Sequence, residues 1–145
     1  MTSPDRVPDE PLAAQLRIAL MRAVRRLRAE RIDQELSDSH YSVLAQLERH
    51  GGTTPRDLAA FERVQPPSMT RIVAGLVERG LVVRTDDPAD GRQVLVVATD
   101  AGLHTVRETR RRRDVWLTRR LAELDPAERD VLTAAADILR RIADS

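Results

Sequence analysis

The side chains best suited to bind a ligand lie in one short stretch that reads Gln65-Pro-Pro-Ser-Met-Thr-Arg71. The guanidinium of Arg71 is a planar fork that can donate two parallel hydrogen bonds to a guanine base or clamp a phosphate. The hydroxyls of Ser68 and Thr70 can bond phosphates or base edges, and the amide of Gln65 matches adenine. This chemistry suits a nucleic acid, although the solvated start of an ordinary helix would have a similar composition.

A second candidate group follows in a turn rich in aspartate, proline and glycine, Asp86 to Arg92. An arginine at the tip of a hairpin, here Arg92, can enter the minor groove of DNA, where A·T-rich stretches concentrate negative potential. Asp90 cannot approach a phosphate favourably, so we expect it to hold Arg92, and also Arg84, by a charge-assisted hydrogen bond. The alternative is a surface ion pair worth about 0–1 kcal/mol. No metal site is expected, because calcium takes about six to eight oxygens.

Local signals place the first group on a helix. A helix is predicted to follow the break at Leu36–Ser39 and to stop at Gly51-Gly52, because glycine commonly ends helices. Thr54 then caps a short helix, and Pro66 opens the next one, since proline is tolerated in a first turn. Two short helices joined by a tight turn form a helix-turn-helix pattern, whose second helix enters the major groove with its first turns nearest the bases.

The second group is placed on a hairpin. Val82–Thr85 and Gln93–Ala98 are rich in β-branched residues, and the turn between them has hairpin-loop chemistry. A hairpin that follows a helix-turn-helix is a wing. The predicted DNA-contacting residues are Gln65, Pro67, Ser68, Met69, Thr70, Arg71, Arg84, Asp90 and Arg92.

Amphipathic helices flank this unit. Apolar residues at helical spacing predict an N-terminal helix from Pro11 to about Arg31. Thr99 with Asp100 caps a long helix from about Ala101 to Glu123, and Asp125-Pro126 caps a last helix. The residues before the first helix contain several prolines without periodicity, which indicates a loose arm.

Composition narrows the class of protein. The 145 residues carry a formal net charge of +1, all 24 cations are arginine, and there is no cysteine. Binding to nucleic acid would therefore need a local arrangement of positive charge, and disulfides and cysteine-based zinc sites are excluded.

No apolar run reaches the roughly 20 residues that span a bilayer, and no signal peptide is recognisable. We expect a cytoplasmic protein with no membrane partner.

Signatures of catalysis are missing from the sequence. It contains no glycine-rich phosphate loop, no Gly-x-Ser-x-Gly, no His-Glu-x-x-His and no carboxylate pair in an apolar setting. The three histidines are scattered without metal-ligand spacing. We therefore expect no enzyme activity, no catalytic residue, no cofactor and no metal.

From roughly Leu12 to Ile142 the chain resembles the multiple antibiotic resistance regulator (MarR) family of bacterial winged-helix repressors. The most specific segments are Ser68-Met69-Thr70-Arg71, Leu76-Val77-Glu78-Arg79-Gly80-Leu81-Val82 and Asp86-Asp87-Pro88-Ala89-Asp90-Gly91-Arg92-Gln93-Val94-Leu95-Val96. The family's wing motif is Asp-x-Arg, an apolar strand and a Leu-Thr-x-x-Gly helix start. Here Ala98-Thr99-Asp100-Ala101-Gly102 has alanine for leucine, and Leu124-Asp125-Pro126-Ala127-Glu128 matches the family's usual entry into the final helix.

The resemblance implies a homodimer in which the N-terminal helix and the last two helices interlock with those of a second copy. The fold class is then mainly α (α+β), a single domain over 1–145. A winged helix-turn-helix lobe at 39–98 is flanked by dimerisation helices at 11–35 and 100–145. The resemblance also implies a pseudo-palindromic operator and often a small aromatic effector. His40 and Tyr41 open the second helix near the family's effector crevice, although each would equally suit ordinary packing.

The run Arg107 to Asp114, with four consecutive arginines, allows three interpretations. It is a solvated helix middle whose aliphatic stems cover apolar surface, an inter-subunit ion-pair network with acids such as Glu30, Asp33 or Glu35, or a contact to a phosphate or effector anion. Trp116 is expected to pack in the dimer core rather than to form a ligand platform.

Together these observations predict a sequence-specific DNA-binding transcriptional regulator. It would be a homodimeric repressor of a pseudo-palindromic operator, relieved by a small aromatic ligand. Its partners would be double-stranded DNA, a second copy of itself and that effector. A winged-helix module used only for protein–protein contacts is the alternative. This alternative is disfavoured by the presence of Thr70, Arg71 and Arg92, since a module that binds only proteins needs no guanidinium at both the helix start and the wing tip.

Overall fold

The computed structural model describes residues 11–145, which form six helices and one two-stranded sheet. In chain order the elements are α1 (Leu12–Arg28), α2 (Asp38–His50), α3 (Pro55–Glu62), α4 (Pro66–Glu78), β1 (Val82–Asp86), β2 (Val94–Ala98), α5 (Asp100–Ala122) and α6 (Pro126–Ala143). This architecture confirms the predicted winged helix-turn-helix with flanking helices. The loose arm predicted before α1 falls on residues 1–10, outside the described part of the chain.

The predicted helix caps are present. The hydroxyls of Thr54 and Thr99 each accept a backbone N–H of the following first turn at 3.1 Å. Asp125 and Glu128 form a reciprocal capping box, each side chain accepting the other's backbone N–H. These bonds satisfy donors that a helix start leaves unpaired, so short sequence signals determine where α3, α5 and α6 begin.

The first helix ends earlier than predicted, at Arg28 instead of about Arg31. Arg31 lies in the linker that follows, and its guanidinium donates to the carbonyls of Arg28 and Leu36 at 2.8 and 2.6 Å and to Asp38 at 3.0 Å. Arg28 also binds Asp38 at 3.0 Å. These bonds hold the linker folded against the start of α2.

The buried core lies between α2, α3, α4, the base of the hairpin and the first turns of α5. Its members are Leu36, Tyr41, Val43, Leu44, Leu47, Leu58, Ala59, Met69, Val73, Leu76, Leu81, Val82, Val96 and Val106. From α4 come Met69, Val73 and Leu76, spaced four and three residues apart, which is one face of a helix. Burying each such side chain contributes about 1.5–3 kcal/mol, so this stripe fixes how α4 is rotated.

The wing is tied to the core at its base. β1 and β2 pair antiparallel, from Val82 opposite Ala98 to Asp86 opposite Val94. Val96 also exchanges two backbone hydrogen bonds, of 3.0 and 2.8 Å, with Thr53 in the link between α2 and α3. The base of the hairpin is thus held from two sides, while its turn projects into solvent.

The first and last helices have no buried residue in the described part of the chain. Large apolar side chains exposed on α1, α5 and α6 are Leu12, Leu16, Leu20, Met21, Val24, Val115, Leu117, Val131, Leu132, Ile138 and Ile142. None of the helices within residues 11–145 is both long and apolar enough to cross a membrane. The helices outside the lobe therefore present a large apolar surface that residues 11–145 of one chain do not cover.

The junction between the wing and α5 gives a stability prediction. Gly102 is buried, and a Cβ at this position would overlap the carbonyl oxygen of Leu81 and lie 3.2 Å from a methyl of Leu44. We expect Gly102→Ala to destabilise the protein by about 1–3 kcal/mol, although alanine normally favours a helix by about 1 kcal/mol. Urea unfolding measures the difference.

The matched control is Gly91→Ala in the exposed turn, where a Cβ would meet nothing within 4 Å. We expect it to change the unfolding free energy by less than about 0.5 kcal/mol. Equal unfolding midpoints for the two variants would contradict the close packing of α5 on β1.

Candidate nucleic-acid interface

The start of α4 needs no side chain to cap it. Gln65 is the N-cap residue, with extended backbone and no capping bond from its side chain. Pro66 and Pro67 have no N–H to satisfy, and the N–H of Ser68 donates to the carbonyl of Gln65 at 3.0 Å. The amide of Gln65 therefore remains available to a partner outside the chain.

The exposed face of α4 carries the other predicted contacts. Ser68, Thr70 and Arg71 are all exposed, opposite the buried stripe. Thr70 donates its hydroxyl proton to the carbonyl of Pro66 at 3.0 Å, which leaves its oxygen as an acceptor. Arg71 has no hydrogen bond or ion pair with any residue of the described chain, so its guanidinium is presented entirely to solvent.

The prediction that Met69 contacts DNA is wrong. Its side chain is 0% exposed and lies in the hydrophobic core with Val73 and Leu76. The apolar spacing of these three residues carries this information in the sequence, because it places position 69 on the opposite face from Arg71.

The wing turn differs from the prediction in one respect. Asp90 accepts the backbone N–H of Arg92 at 3.1 Å, whereas the guanidinium Nε of Arg92 lies 3.8 Å from the same carboxylate oxygen, too far for a hydrogen bond. Asp90 makes no contact with Arg84. Its carboxylate therefore shapes the turn and does not clamp either arginine.

The two wing arginines are available to a partner. Arg92 is 96% exposed at the turn, and Arg84 is exposed on β1 without an ion pair among residues 11–145. Both lie on the hairpin whose base packs on the same core as α4. The structure therefore brings the predicted helix and wing residues onto one lobe, where Met69 is the one of them that is buried.

A cavity of about 660 Å³ lies between α1, α2 and α5. Tyr41 lines it, and the guanidiniums of Arg31 and Arg113 lie over its ring at 5.8 and 5.7 Å from the centroid. The tyrosine hydroxyl both accepts from and donates to the backbone of Asp33 at 3.2 Å. Tyr41 is thus held firmly at the wall of a cavity large enough for a small ligand.

Two more residues that line the cavity, Thr109 and Arg113, lie in the run Arg107 to Asp114, for which a contact to an effector anion is one of the three sequence interpretations. Thr109 is buried within α5, and its hydroxyl has no hydrogen-bond partner in the described structure. Arg113 lines the same cavity and donates to the carbonyl of Leu27 at 3.2 Å. The spacing of Val106, Thr109 and Arg113 indicates one helix face, but no sequence signal shows what that face meets.

Comparison with known proteins agrees with this geometry. The model of the MarR family matches residues 34–93. A helix-turn-helix transcriptional regulator of Mycobacterium tuberculosis is 45% identical over 136 residues, which are 94% of this chain and 95% of that protein. This chain belongs to the MarR family of transcriptional regulators.

Solved structures are similar over the same length. A transcriptional regulator protein of Pseudomonas aeruginosa is 35% identical with a TM-score of 0.82, covering 92% of this chain and 94% of that one. BpsR of Bordetella bronchiseptica, whose DNA binding is regulated by 6-hydroxynicotinic acid, is 26% identical with a TM-score of 0.71, covering 99% of both chains. DNA binding by this MarR-family chain is therefore supported by its relatives as well as by its exposed arginines.

The arginine run of this MarR-family chain is paired largely within α2 and α5. Arg107 and Arg110 bind Glu48 at 2.8 and 2.6 Å, and the hydrogen bond from Arg110 is the main cause that holds the pKa of Glu48 below its ordinary value. Arg111 binds Glu108 at 2.7 Å and lowers the pKa of Glu108 to about 2. Part of the run thus holds α5 against α2.

Two of the three acids expected to pair with this run across subunits have a partner within the chain. Asp33 and Glu35 bind Arg79 at the end of α4, at 2.9 and 3.0 Å, and therefore link α4 to the α1–α2 linker.

The guanidiniums of Arg26 and Arg120 lie over the ring of Trp116, at 5.5 and 5.7 Å from its centroid. No three histidine, aspartate or glutamate side chains of residues 11–145 are grouped to hold a metal.

The structure does not bring His40 to the cavity. Its Nδ1 accepts the backbone N–H of Ser37 at 3.0 Å in a capping box at the start of α2. Its ring packs against α4, where a Cβ on Gly75 would lie 2.9 Å from Nε2. His40 is therefore a residue that positions α2 against α4, and Tyr41 is the member of the predicted pair that lines the cavity.

This position gives a pH prediction. Burial, and secondarily the charge of Arg79, hold the pKa of His40 below its ordinary value of 6.5. Because the unfolded chain then binds the proton more tightly, the contribution of neutral His40 to stability is complete above about pH 6.5 and is lost as the pH falls through the lower folded value. Urea unfolding across this range measures the effect.

His40→Gln is the matched variant, since glutamine also completes a capping box but does not titrate. We expect its stability to fall less below pH 6.5 than that of the wild type. Identical pH profiles for the two proteins would show that His40 is not the responsible group.

Proposed function

We propose that this protein is a homodimeric repressor that binds a pseudo-palindromic operator in double-stranded DNA and is released by a small aromatic ligand. The observation that carries the proposal is the unpaired guanidinium of Arg71 on the outward face of α4, whose rotation the buried stripe fixes. An arginine held this way on a recognition helix can read guanine in the major groove.

The remaining lobe residues divide by the part of DNA they would meet. Gln65, Ser68 and Thr70 share the first turns of α4 with Arg71 and would contact base edges or the adjacent phosphates. Pro67 shapes the backbone there without donating a bond. Arg84 and Arg92 would meet the backbone and the minor groove beside the site, with Asp90 shaping the turn that presents Arg92.

A second copy of the chain would cover the apolar faces of α1, α5 and α6. On α6 alone, Val131 is 67% exposed, and Leu132, Ile138 and Ile142 are also exposed. Burying a side chain of this size contributes about 1.5–3 kcal/mol, and a two-fold interface uses the same surface from both copies. Such a dimer would set two recognition helices about one turn of DNA, roughly 34 Å, apart, which accounts for a pseudo-palindromic operator.

The cavity between α1, α2 and α5 would receive the ligand. It lies where the lobe joins the proposed dimerisation helices, and its walls combine the apolar Val24, Leu27 and Leu117 with Tyr41 and the unpartnered hydroxyl of Thr109. The regulation of BpsR by 6-hydroxynicotinic acid supports a small aromatic compound. A ligand that binds one spacing of the two lobes better than the other shifts the population of the dimer and thereby its DNA affinity.

The DNA interface is tested by Arg71→Ala and Arg92→Ala. We expect each to weaken binding to the operator strongly, and Arg71→Ala by about 1–3 kcal/mol with relaxed specificity at the base it contacts. Gel-shift titration against DNA fragments selected by the wild-type protein from genomic DNA measures the affinity, and size-exclusion chromatography shows that the dimer remains.

Arg141→Ala serves as the control, because Arg141 is exposed on α6 and has no ion pair in the described structure. It removes the same charge and should leave operator binding unchanged. Arg71 is not a DNA contact if its replacement behaves like that of Arg141.

The dimer is tested by Ile138→Asp on α6. Since Ile138 is already 48% exposed in one chain, a carboxylate there does not disturb the lobe core but would be buried unpaired in the dimer, which is costly. We expect a monomer by light scattering or sedimentation, with weaker operator binding. Phe61→Asp on the lobe, at a side chain that is 51% exposed, should remain dimeric, and a dimeric Ile138→Asp would place the interface elsewhere.

A further inference from the structure

We propose that Arg63, in the turn between α3 and α4, binds a phosphate of the DNA backbone beside the recognition helix. This inference rests on the proposed DNA binding and assigns a contact that neither the sequence motifs nor the family resemblance brought into the site. It starts from the backbone conformation of this residue.

Arg63 is the one residue other than glycine with a positive φ among residues 11–145. Its φ of 53° and ψ of 42° are left-handed helical values, which cost an ordinary L-residue free energy because its Cβ approaches the following carbonyl. The other two residues with a positive φ in the described chain, at the ends of α2 and α4, are Gly51 and Gly80. Arg63 is therefore the one position with a positive φ among residues 11–145 that carries a side chain.

The backbone of this turn does not require an arginine. The N–H groups of Arg63 and Val64 close the end of α3 by donating to the carbonyls of Ala60 and Ala59, at 3.3 and 3.1 Å. A glycine would make the same bonds without the steric cost. Strained conformations of this kind cluster at functional sites, where the surrounding structure holds them.

The side chain of Arg63 is unused within the described chain. It is exposed and makes no hydrogen bond, ion pair or ring contact with any residue from 11 to 145. The neighbouring acid, Glu62, is not its partner, because the Glu62 carboxylate accepts the hydroxyl of Ser42 at 2.5 Å. The backbone of Arg63 is fixed by the turn, and its exposed guanidinium has no counter-ion in the described chain.

The position of that charge favours the phosphate backbone over a base. Arg63 lies two residues before Gln65, the N-cap of α4, and therefore at the edge of the helix start that would face the groove. Phosphate contacts fix the register of a protein on the duplex without reading its sequence, and an arginine fork suits a phosphate. Arg63 lies in the loop just before the turn of α4 that is proposed to contact the bases, and it is therefore suited to this role.

The test compares wild-type full-length protein with Arg63→Gly, using a duplex selected by the wild type from genomic DNA and a random-sequence duplex of equal length. We expect Arg63→Gly to weaken binding to both by a similar factor, roughly 3- to 10-fold, and to reduce the slope of log affinity against log salt by about one. Its melting temperature should be unchanged or higher by about 1–4 °C, because glycine relieves the left-handed strain.

Arg63→Asn is the second variant, because asparagine tolerates the left-handed conformation but carries no charge. It should reproduce the loss of affinity without the added flexibility of glycine. Arg141→Gln controls for the loss of one positive charge outside the lobe and should bind like the wild type.

The outcomes are distinct. Unchanged affinity and salt slope in both Arg63 variants would overturn the inference, as would a lower melting temperature in both, which would assign Arg63 to the fold. Arg71→Ala, measured beside them, should lose binding to the selected duplex more than to the random one. A wild-type protein that enriches no duplex from genomic DNA would overturn the proposed function itself, and the inference with it.

Discussion

The buried stripe of α4 is the constraint on which the rest of the lobe depends. Met69, Val73 and Leu76 are fully buried between α2, α3 and the base of the wing, so the rotation of the helix about its axis is not adjustable. Because a helix places position 71 on the face away from this stripe, the exposure of Arg71 follows from core packing. A cation that reads a base edge, as we propose for Arg71, must be held within about 0.5 Å of its productive position, and the stripe provides this support without burying a polar group.

The helices outside the lobe are in the opposite situation. In the described chain α1 and α6 bury no residue, so their position relative to the lobe depends on α5 and on whatever covers their apolar faces. The close approach of Gly102 to Leu81 and the pairing of Glu48 with Arg107 and Arg110 attach α5 to the lobe at two separate points. A displacement of α5 by a ligand in the adjoining cavity would therefore move the lobe as a unit, since its interior is packed too tightly to deform gradually.

The order of elements was predictable because it depends on local chemistry. The caps at Thr54, Thr99 and Asp125, the glycine stop at Gly51 and the turn chemistry of the hairpin act within a few residues of one another, and each is present in the structure. The predictions that fail concern a residue assigned a role by its place in a motif, or contacts between residues far apart in the sequence. Met69 was grouped with its motif neighbours although its spacing to Val73 and Leu76 indicates burial. The partners of Arg79, 44 and 46 residues away in the sequence, and the cavity around Thr109 depend on how helices meet, for which the sequence carries no local signal.

Charge pairing explains how a lobe without net charge can meet a polyanion. Residues 39–98 contain as many acids as arginines, which by summation gives no attraction to DNA. The acids, however, are partly engaged: Glu48 binds two arginines of α5, Glu62 binds Ser42, and Asp87 and Asp90 accept backbone N–H groups in the wing turn. Within the described chain the lobe arginines without an ion pair are Arg49, Arg56, Arg63, Arg71 and Arg84. The attraction to DNA is therefore concentrated at the guanidiniums that have no ion pair, instead of being spread over the surface of the lobe. The sequence-independent part of DNA affinity grows with the number of phosphates neutralised, so we expect such a lobe to bind DNA of any sequence only weakly. A larger share of its discrimination between DNA sequences then rests on a few positioned contacts.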